Sequence, residues 1–209
     1  MSKKRYAPRI PRTANGFRAQ DLRALPRGAW WVKRWLYAIE QMRLGARAGR
    51  GRVYAEQGQV IALEAAGTHV EASVLGARPD PYTVKIDFAP LATGHAEFGA
   101  MDTGRLIAGE MPMAVEEMLS VGGSPYPTLG ADRFWCSCPD WSKPCKHIAA
   151  VLYLLGDALV RDPALLLRLR GVELPGDAPD GCALPLWRGE TKLMDGIEKI
   201  RRRVGRQER

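Results

Sequence analysis

The sequence predicts an α+β fold, and three features of its patterning carry that expectation. Apolar residues recur at three- and four-residue steps after residue 30, the repeat shifts to two within residues 52–88, and from residue 148 a segment is apolar almost all round. At 209 residues with 46% apolar content, the chain is long enough to bury a sizeable core.

Taken in order, residues 1–28 mix Lys3, Lys4, Arg5, Arg9, Arg12, Arg18, Arg23 and Arg27 with Pro8, Pro11 and Pro26 and show no sustained period. They read as a basic mobile arm. Over residues 30–47, Trp31, Trp35, Ile39, Met42 and Ala46 fall on one side of a helical wheel and Lys33, Glu40, Arg43 and Arg47 fall elsewhere, which predicts an amphipathic helix. Alternation then takes over. Val70, Ala72 and Val74 interleave with His69, Glu71 and Ser73, and Val84, Ile86 and Phe88 with Thr83, Lys85 and Asp87, as half-buried strands require. Breaks at Gln57-Gly58 and Ala66-Gly67 mark hairpin turns between further strands at residues 53–56 and 59–65, giving an antiparallel meander over about residues 52–88. Helices are expected at residues 96–107 and 112–121, the second opened by Pro112 and stopped by Gly122-Gly123. A buried helix over residues 148–159 follows, then a short one from Asp162-Pro163 to Gly171. Residues 175–186 read as a linker and residues 190–204 as a basic helix. The resulting division is an arm (1–28), an α+β region (29–128), a cysteine-rich module with its helices (129–174), and a linker with a basic C-terminal helix (175–209).

Charge is segregated along the chain. Residues 1–52 hold fourteen Lys or Arg against Asp21 and Glu40, and residues 199–209 hold six against Glu208, so the ends carry +12 and +5 while the middle carries −9. Such ends suit a polyanion or an acidic protein surface, or serve solubility. No leader of secretory type is expected ahead of the first apolar stretch near Trp30, and no run approaches the roughly eighteen apolar residues of a membrane span. A cytoplasmic location is the expectation, without a membrane partner.

Three of the four cysteines lie within ten positions, a poor distribution for a disulfide framework but a good one for a metal. Cys136 and Cys138 form a Cys-x-Cys pair, and after six residues Cys145 and His147 form a Cys-x-His pair. Residues i and i+2 of an extended segment project to one side, so both members of the first pair can face one ion. Zn–S bonds of about 2.3 Å in a tetrahedron place sulfurs roughly 3.8 Å apart, within easy reach of such neighbours. Pro139 and Pro144 bracket the returning loop. Three thiolates and an imidazole fill the shell of one Zn2+, and a histidine ligand disfavours an iron–sulfur cluster. A filled shell predicts a structural ion, with no open position for catalysis. Cys182 has no partner pattern, and His69 and His95 sit in no acid, base or nucleophile arrangement.

The run Phe134-Trp135-Cys136-Ser137-Cys138-Pro139-Asp140-Trp141-Ser142-Lys143-Pro144-Cys145-Lys146-His147, followed by an apolar helix, closely resembles the SWIM zinc finger over residues 134–155. That module occurs in bacterial SWI/SNF-type helicase-like ATPases, in Mutator-type transposases and in some eukaryotic signalling proteins. Arg50-Gly51-Arg52-Val53-Tyr54-Ala55 and Pro81-Tyr82-Thr83-Val84 extend a weaker likeness to small stand-alone bacterial SWIM proteins, often encoded beside a helicase-like ATPase. The resemblance implies binding of nucleic acid or of protein. No Gly-rich loop ending in Lys-Ser or Lys-Thr is present, so ATP use would belong to a partner. The expectation is therefore a non-enzymatic adaptor for nucleic acid, with DNA the first reading, or a module docking on a helicase-like ATPase. Contact residues expected on this view are Trp141, Lys143 and Lys146 near the metal, with Arg5, Arg9 and Arg12 in the arm and Arg201, Arg202 and Arg203 in the tail. Trp31 and Trp35 are expected to pack in the core rather than to stack on bases.

Overall fold

A computed structural model of the chain describes residues 10–20, 22, 24–25, 28–91, 100–113, 115, 117, 123–141 and 143–172, and the backbone of strand 184–188. Helix α1 (Trp30–Gln41) buries Trp31, Val32, Trp35 and Ile39, the expected stripe. It ends six residues short of the expected boundary because Arg43 and Gly45 take positive φ values of 52° and 55°, which helical backbone does not allow. Helix α2 (Ala46–Glu56) follows. Residues 53–56 are thus helical, not a strand: Gly51, Tyr54 and Ala55 face inward at helical spacing. Gln57-Gly58 is the stop of this helix, with Gly58 at φ 77°, rather than a hairpin turn.

Strands β1 (Val60–Ala66), β2 (His69–Val74) and β3 (Tyr82–Asp87) form the antiparallel meander, with Val70, Ala72, Val74, Val84 and Ile86 turned inward as their alternation requires. Helix α3 (Ala100–Ile107) lies in the segment expected to be helical, and the described positions 113, 115 and 117 are helical too. Strand β4 (Arg133–Cys136) then returns to pair with β3, which continues the sheet directly into the cysteine cluster. Helix α4 (Lys146–Arg161) has residues 147–159 all buried, and the short α5 (Ala164–Arg168) runs up to Gly171 at φ 71°. Strand β5 (Leu184–Arg188) pairs with β1 where the end of a linker was expected, completing the order β4-β3-β2-β1-β5. Among the described residues no helix is long and apolar enough to cross a membrane.

α4 is the centre of the core, contacting α2, α1, α5 and strands β1, β3 and β4. α1 is pinned to it by two indole donors: Trp31 Nε1 donates to the Leu159 carbonyl and Trp35 Nε1 to that of Leu152, both at 2.8 Å. Both tryptophans therefore pack rather than stack on bases. One cluster of buried residues runs from Phe17 to Val172, without a break near residues 128–129. The arm is also drawn in. Residues 10–20 lie along the domain, with Arg12 N–H donating to Gly76, Gly16 to Gly58, Phe17 to Val60 and Gln20 to the Asp157 carboxylate, and with Ala14 and Phe17 buried. This corrects the expectation of a mobile arm for that stretch; two apolar side chains and five backbone donors, Ala19 N–H to Ala55 being the fifth, suffice where no period is visible. The helix expected at 190–204, the linker residues 175–183, Cys182 and His95 lie outside the described residues.

The two glycines of α2 make opposite predictions. A Cβ on Gly51 would sit 2.5 Å from the Ala149 Cβ and 3.0 Å from the Lys146 carbonyl oxygen, whereas one on Gly49 would meet nothing within 4 Å. Gly51→Ala is expected to destabilise by about 1–3 kcal/mol, the overpacking outweighing its gain in helix propensity. Gly49→Ala should stabilise by about 0.5–1 kcal/mol. Urea midpoints of the two variants check this, and a shift of the same sign in both would refute the close α2–α4 packing.

Candidate metal centre

Each ligand comes from a different local device. Cys136 is the last residue of β4, and Cys138 lies in the bend that follows rather than in extended backbone, its N–H 3.5 Å from the Cys136 sulfur. Cys145 is the N-cap of α4, with extended backbone (φ −91°, ψ 177°), and His147 lies in the first turn of that helix. The loop between the pairs includes a cis Lys143–Pro144 peptide. All four ligand atoms lie within 4.8 Å of one another, and all four residues are buried, Cys145 completely. The imidazole Nδ1 faces the cluster, 3.8 Å from the Cys136 sulfur and 3.9 Å from the Cys145 sulfur. These spacings match the edges of a tetrahedron around zinc to within a few tenths of an ångström. One structural Zn2+ fits this donor set, held by Cys136, Cys138, Cys145 and His147.

The surroundings fix and electrically balance the ligands. His147 is stacked on Tyr82 at 4.6 Å between ring centroids, with Tyr54 at 5.5 Å on a tilted approach. Its Nε2 is buried with no hydrogen-bond partner among the described residues, so packing alone orients the ring. In the metal-free cluster the Cys145 thiol is pushed down to about 3, chiefly because the Cys136 thiol donates to it, with His147 and the Ile148 N–H helping against burial. Cys136 is pushed up, first by that same hydrogen bond and then by burial, and Cys138 is pushed up by burial. The cluster therefore concentrates its negative charge on the thiolate at the positive end of α4. Lys143 adds a second positive group: its Nζ donates to the Cys136 carbonyl at 2.9 Å and lies 3.6 Å from the Cys138 sulfur. Three thiolates around Zn2+ leave one net negative charge, which this ammonium offsets.

The predicted contact residues separate on the structure. Trp141 projects from the loop with 93% of its surface exposed, and Trp135 is half exposed on β4. Lys143 is exposed but lays its ammonium onto the metal site, whereas Lys146 lies outside it, its Nζ 4.7 Å above the Tyr54 ring. Arg12 is exposed, in the segment held against Gly76. Arg5, Arg9, Arg201, Arg202 and Arg203 lie outside the described residues. His69 is a surface group on β2, its Nδ1 2.6 Å from an Asp87 carboxylate oxygen. The sequence reading missed the partnership of Lys143, Tyr54 and Tyr82 with the ligands; only the position of Lys143 between the two pairs hinted at it.

Comparison with known proteins agrees with this geometry. The SWIM zinc finger family profile matches residues 129–156. The uncharacterized protein Rv2102 of Mycobacterium tuberculosis is 36% identical over 176 residues, which cover 79% of this chain and 64% of the relative, so the chain spans just under two thirds of its relative's length. No solved structure gives a significant match. Residues 129–156 are thus a SWIM zinc finger, and the chain carries it as an integral part of an α+β domain.

Proposed function

We propose that this protein is a non-catalytic, cytoplasmic adaptor that binds nucleic acid, DNA in the first instance, through the surface around its zinc finger. The observation that carries the reading is a convergence around the metal. Trp141 stands 93% exposed on a loop tied down at both ends by ligands. Lys146 sits between two ligands, and the backbone N–H of Arg12 donates to Gly76, where a Cβ would lie 3.7 Å from His147 Nε2. An exposed indole on this loop, with Lys146 on the helix turn that follows it, suits base stacking beside phosphate contacts. Four protein donors fill the zinc shell, which supports a structural rather than a catalytic ion.

Fluorescence anisotropy of the zinc-loaded chain with labelled single-stranded and duplex DNA tests this. Binding is expected to weaken with salt, and Trp141→Ala should cost about 1–3 kcal/mol on the single strand while leaving the fold intact. Absence of binding to either probe at about 50 mM salt would sink the reading. Docking on a helicase-like ATPase has its own support in a groove of about 610 Å3 between α1 and residues 124–129, lined by Arg34, Tyr37, Met42, Tyr126, Pro127 and Leu129. Retention of such an ATPase after nuclease treatment would favour it.

A further inference from the structure

Helix α2 carries Arg47, Arg50 and Arg52 against one carboxylate, Glu56, at its last position. Residues 47, 50 and 54 fall at i, i+3 and i+7, so the two arginines share a flank with Tyr54. Lys146 adds a cation from the first turn of α4 by lying over that same ring at 4.7 Å. On the other flank the Arg52 guanidinium lies 5.1 Å above Tyr153. The rings hold the charged heads themselves, the Lys146 ammonium over Tyr54 and the Arg52 guanidinium over Tyr153, in cation–π contact. Arg50 is exposed, and Arg47, Arg52 and Lys146 are half-buried. Arg47 donates through Nε to the Leu44 carbonyl at 3.0 Å, which orients its fork.

Little apolar surface accompanies these cations. On α2 the exposed large hydrophobic residue is Val53, at 43%, in contrast to the aromatic groove on α1. Spaced cations whose charged groups are pre-positioned, without an apolar centre, suit a phosphate backbone better than a protein interface, whose core is depleted in charge. Resting on the nucleic-acid reading above, we propose that the Arg47–Arg50–Lys146 flank of α2 is the phosphate-contacting face. It sets the register of the bound strand without reading its sequence. Because Lys146 lies between Cys145 and His147, and Tyr54 packs 5.5 Å from His147, the ligand cluster positions Lys146 and the ring beneath it.

The test is the salt dependence of duplex binding by the full zinc-loaded chain carrying Arg50→Gln and Lys146→Gln, the glutamines keeping part of each stem. Each lost phosphate contact lowers the slope of log K against log salt by about 0.9, so the pair should lower it by about 1.8, equally on unrelated sequences. Lys33→Gln with Arg105→Gln removes the same charge from exposed sites on α1 and α3 and should leave the slope unchanged. Zinc content and thermal midpoint serve as folding controls. An unchanged slope in the α2 pair, with wild-type binding intact, overturns the assignment but not the reading beneath it. Failure of the wild type to bind removes the reading itself. Loss of poly-glutamate binding with an unchanged DNA slope would overturn the proposal in favour of an acidic protein partner.

Discussion

Cys145→Ser, or extraction of the ion by a chelator, is expected to abolish the cooperative unfolding transition of the whole domain rather than loosen one loop. The reason is where the four ligands sit. Cys136 closes β4 and so belongs to the sheet, whereas Cys145 and His147 open α4, the helix buried from residue 147 to residue 159 and packed on α1, α2 and the sheet. The ion therefore joins the two parts of the fold that carry most of the core. Structural zinc contributes an apparent ~10–16 kcal/mol in small fingers, against a net stability of about 5–15 kcal/mol for a typical domain. Even a fraction of that contribution exceeds what remains. Removing the ion also leaves three buried thiols crowded within 4.8 Å, with their charge unbalanced except by Lys143. Circular dichroism melts with and without chelator, alongside metal content per chain, measure the effect. A midpoint unmoved by complete loss of zinc would show that the core stands without it.

Arg170→Met and Asp132→Asn are expected to cost about 3–5 kcal/mol each, large losses for residues outside the metal site. Arg170 is 2% exposed and the Asp132 side chain fully buried, and their paired bonds measure 2.6 Å (Nη1–Oδ1) and 3.1 Å (Nη2–Oδ2). The rest of the guanidinium is equally occupied: Nε donates to the Pro125 carbonyl, Nη1 to Ala89 and Nη2 to Tyr126. Asp132 in turn accepts from the N–H groups of Ala89 and Thr128. One fork thus gathers the segment after β3, the connector into β4 and the end of α5. Losing the arginine strands a carboxylate and three carbonyl oxygens out of water, each unpaired group costing about 1–3 kcal/mol. Lysine does not rescue it, because an ammonium cannot present five donors in a plane. In urea unfolding, the Arg170→Met, Asp132→Asn double variant should lose less than the sum of the singles, since the stranded charge is gone. Single variants within about 0.5 kcal/mol of wild type, the range of ordinary surface substitutions, would contradict this account.

Much of the core was legible in the sequence, because it was written in a period. The stripe of Trp31, Trp35 and Ile39, the alternation of β2 and β3, and the all-round apolar α4 each state their burial directly. The ligands were legible for a different reason: thiolates and imidazole at paired spacing have few other uses. What failed to show was structure made by approach rather than by pattern. α2 reads as turn and strand because Gly49 and Gly51 depress its helix propensity, yet Gly51 is what lets it sit against Ala149. Phe17 is one aromatic in a polar stretch, and its bridge to Val60, with the neighbouring backbone bonds, is what builds the stretch in. Lys143 reads as a surface cation until its contact with Cys136 and Cys138 is seen.

The pairing of β4 with β3 has a consequence for how the chain is made. Strands β1 to β3 leave the ribosome well before β4, so the nascent sheet presents the unpaired N–H and C=O groups of β3 until residues 133–136 arrive. Val84 and Ile86 give that open edge an apolar face, the kind of template on which other chains assemble. A short strand ending in a metal-bound cysteine closes it. The strand that completes this edge of the sheet is thus also a strand of the finger, so anchoring Cys136 in the cluster keeps the edge of β3 covered.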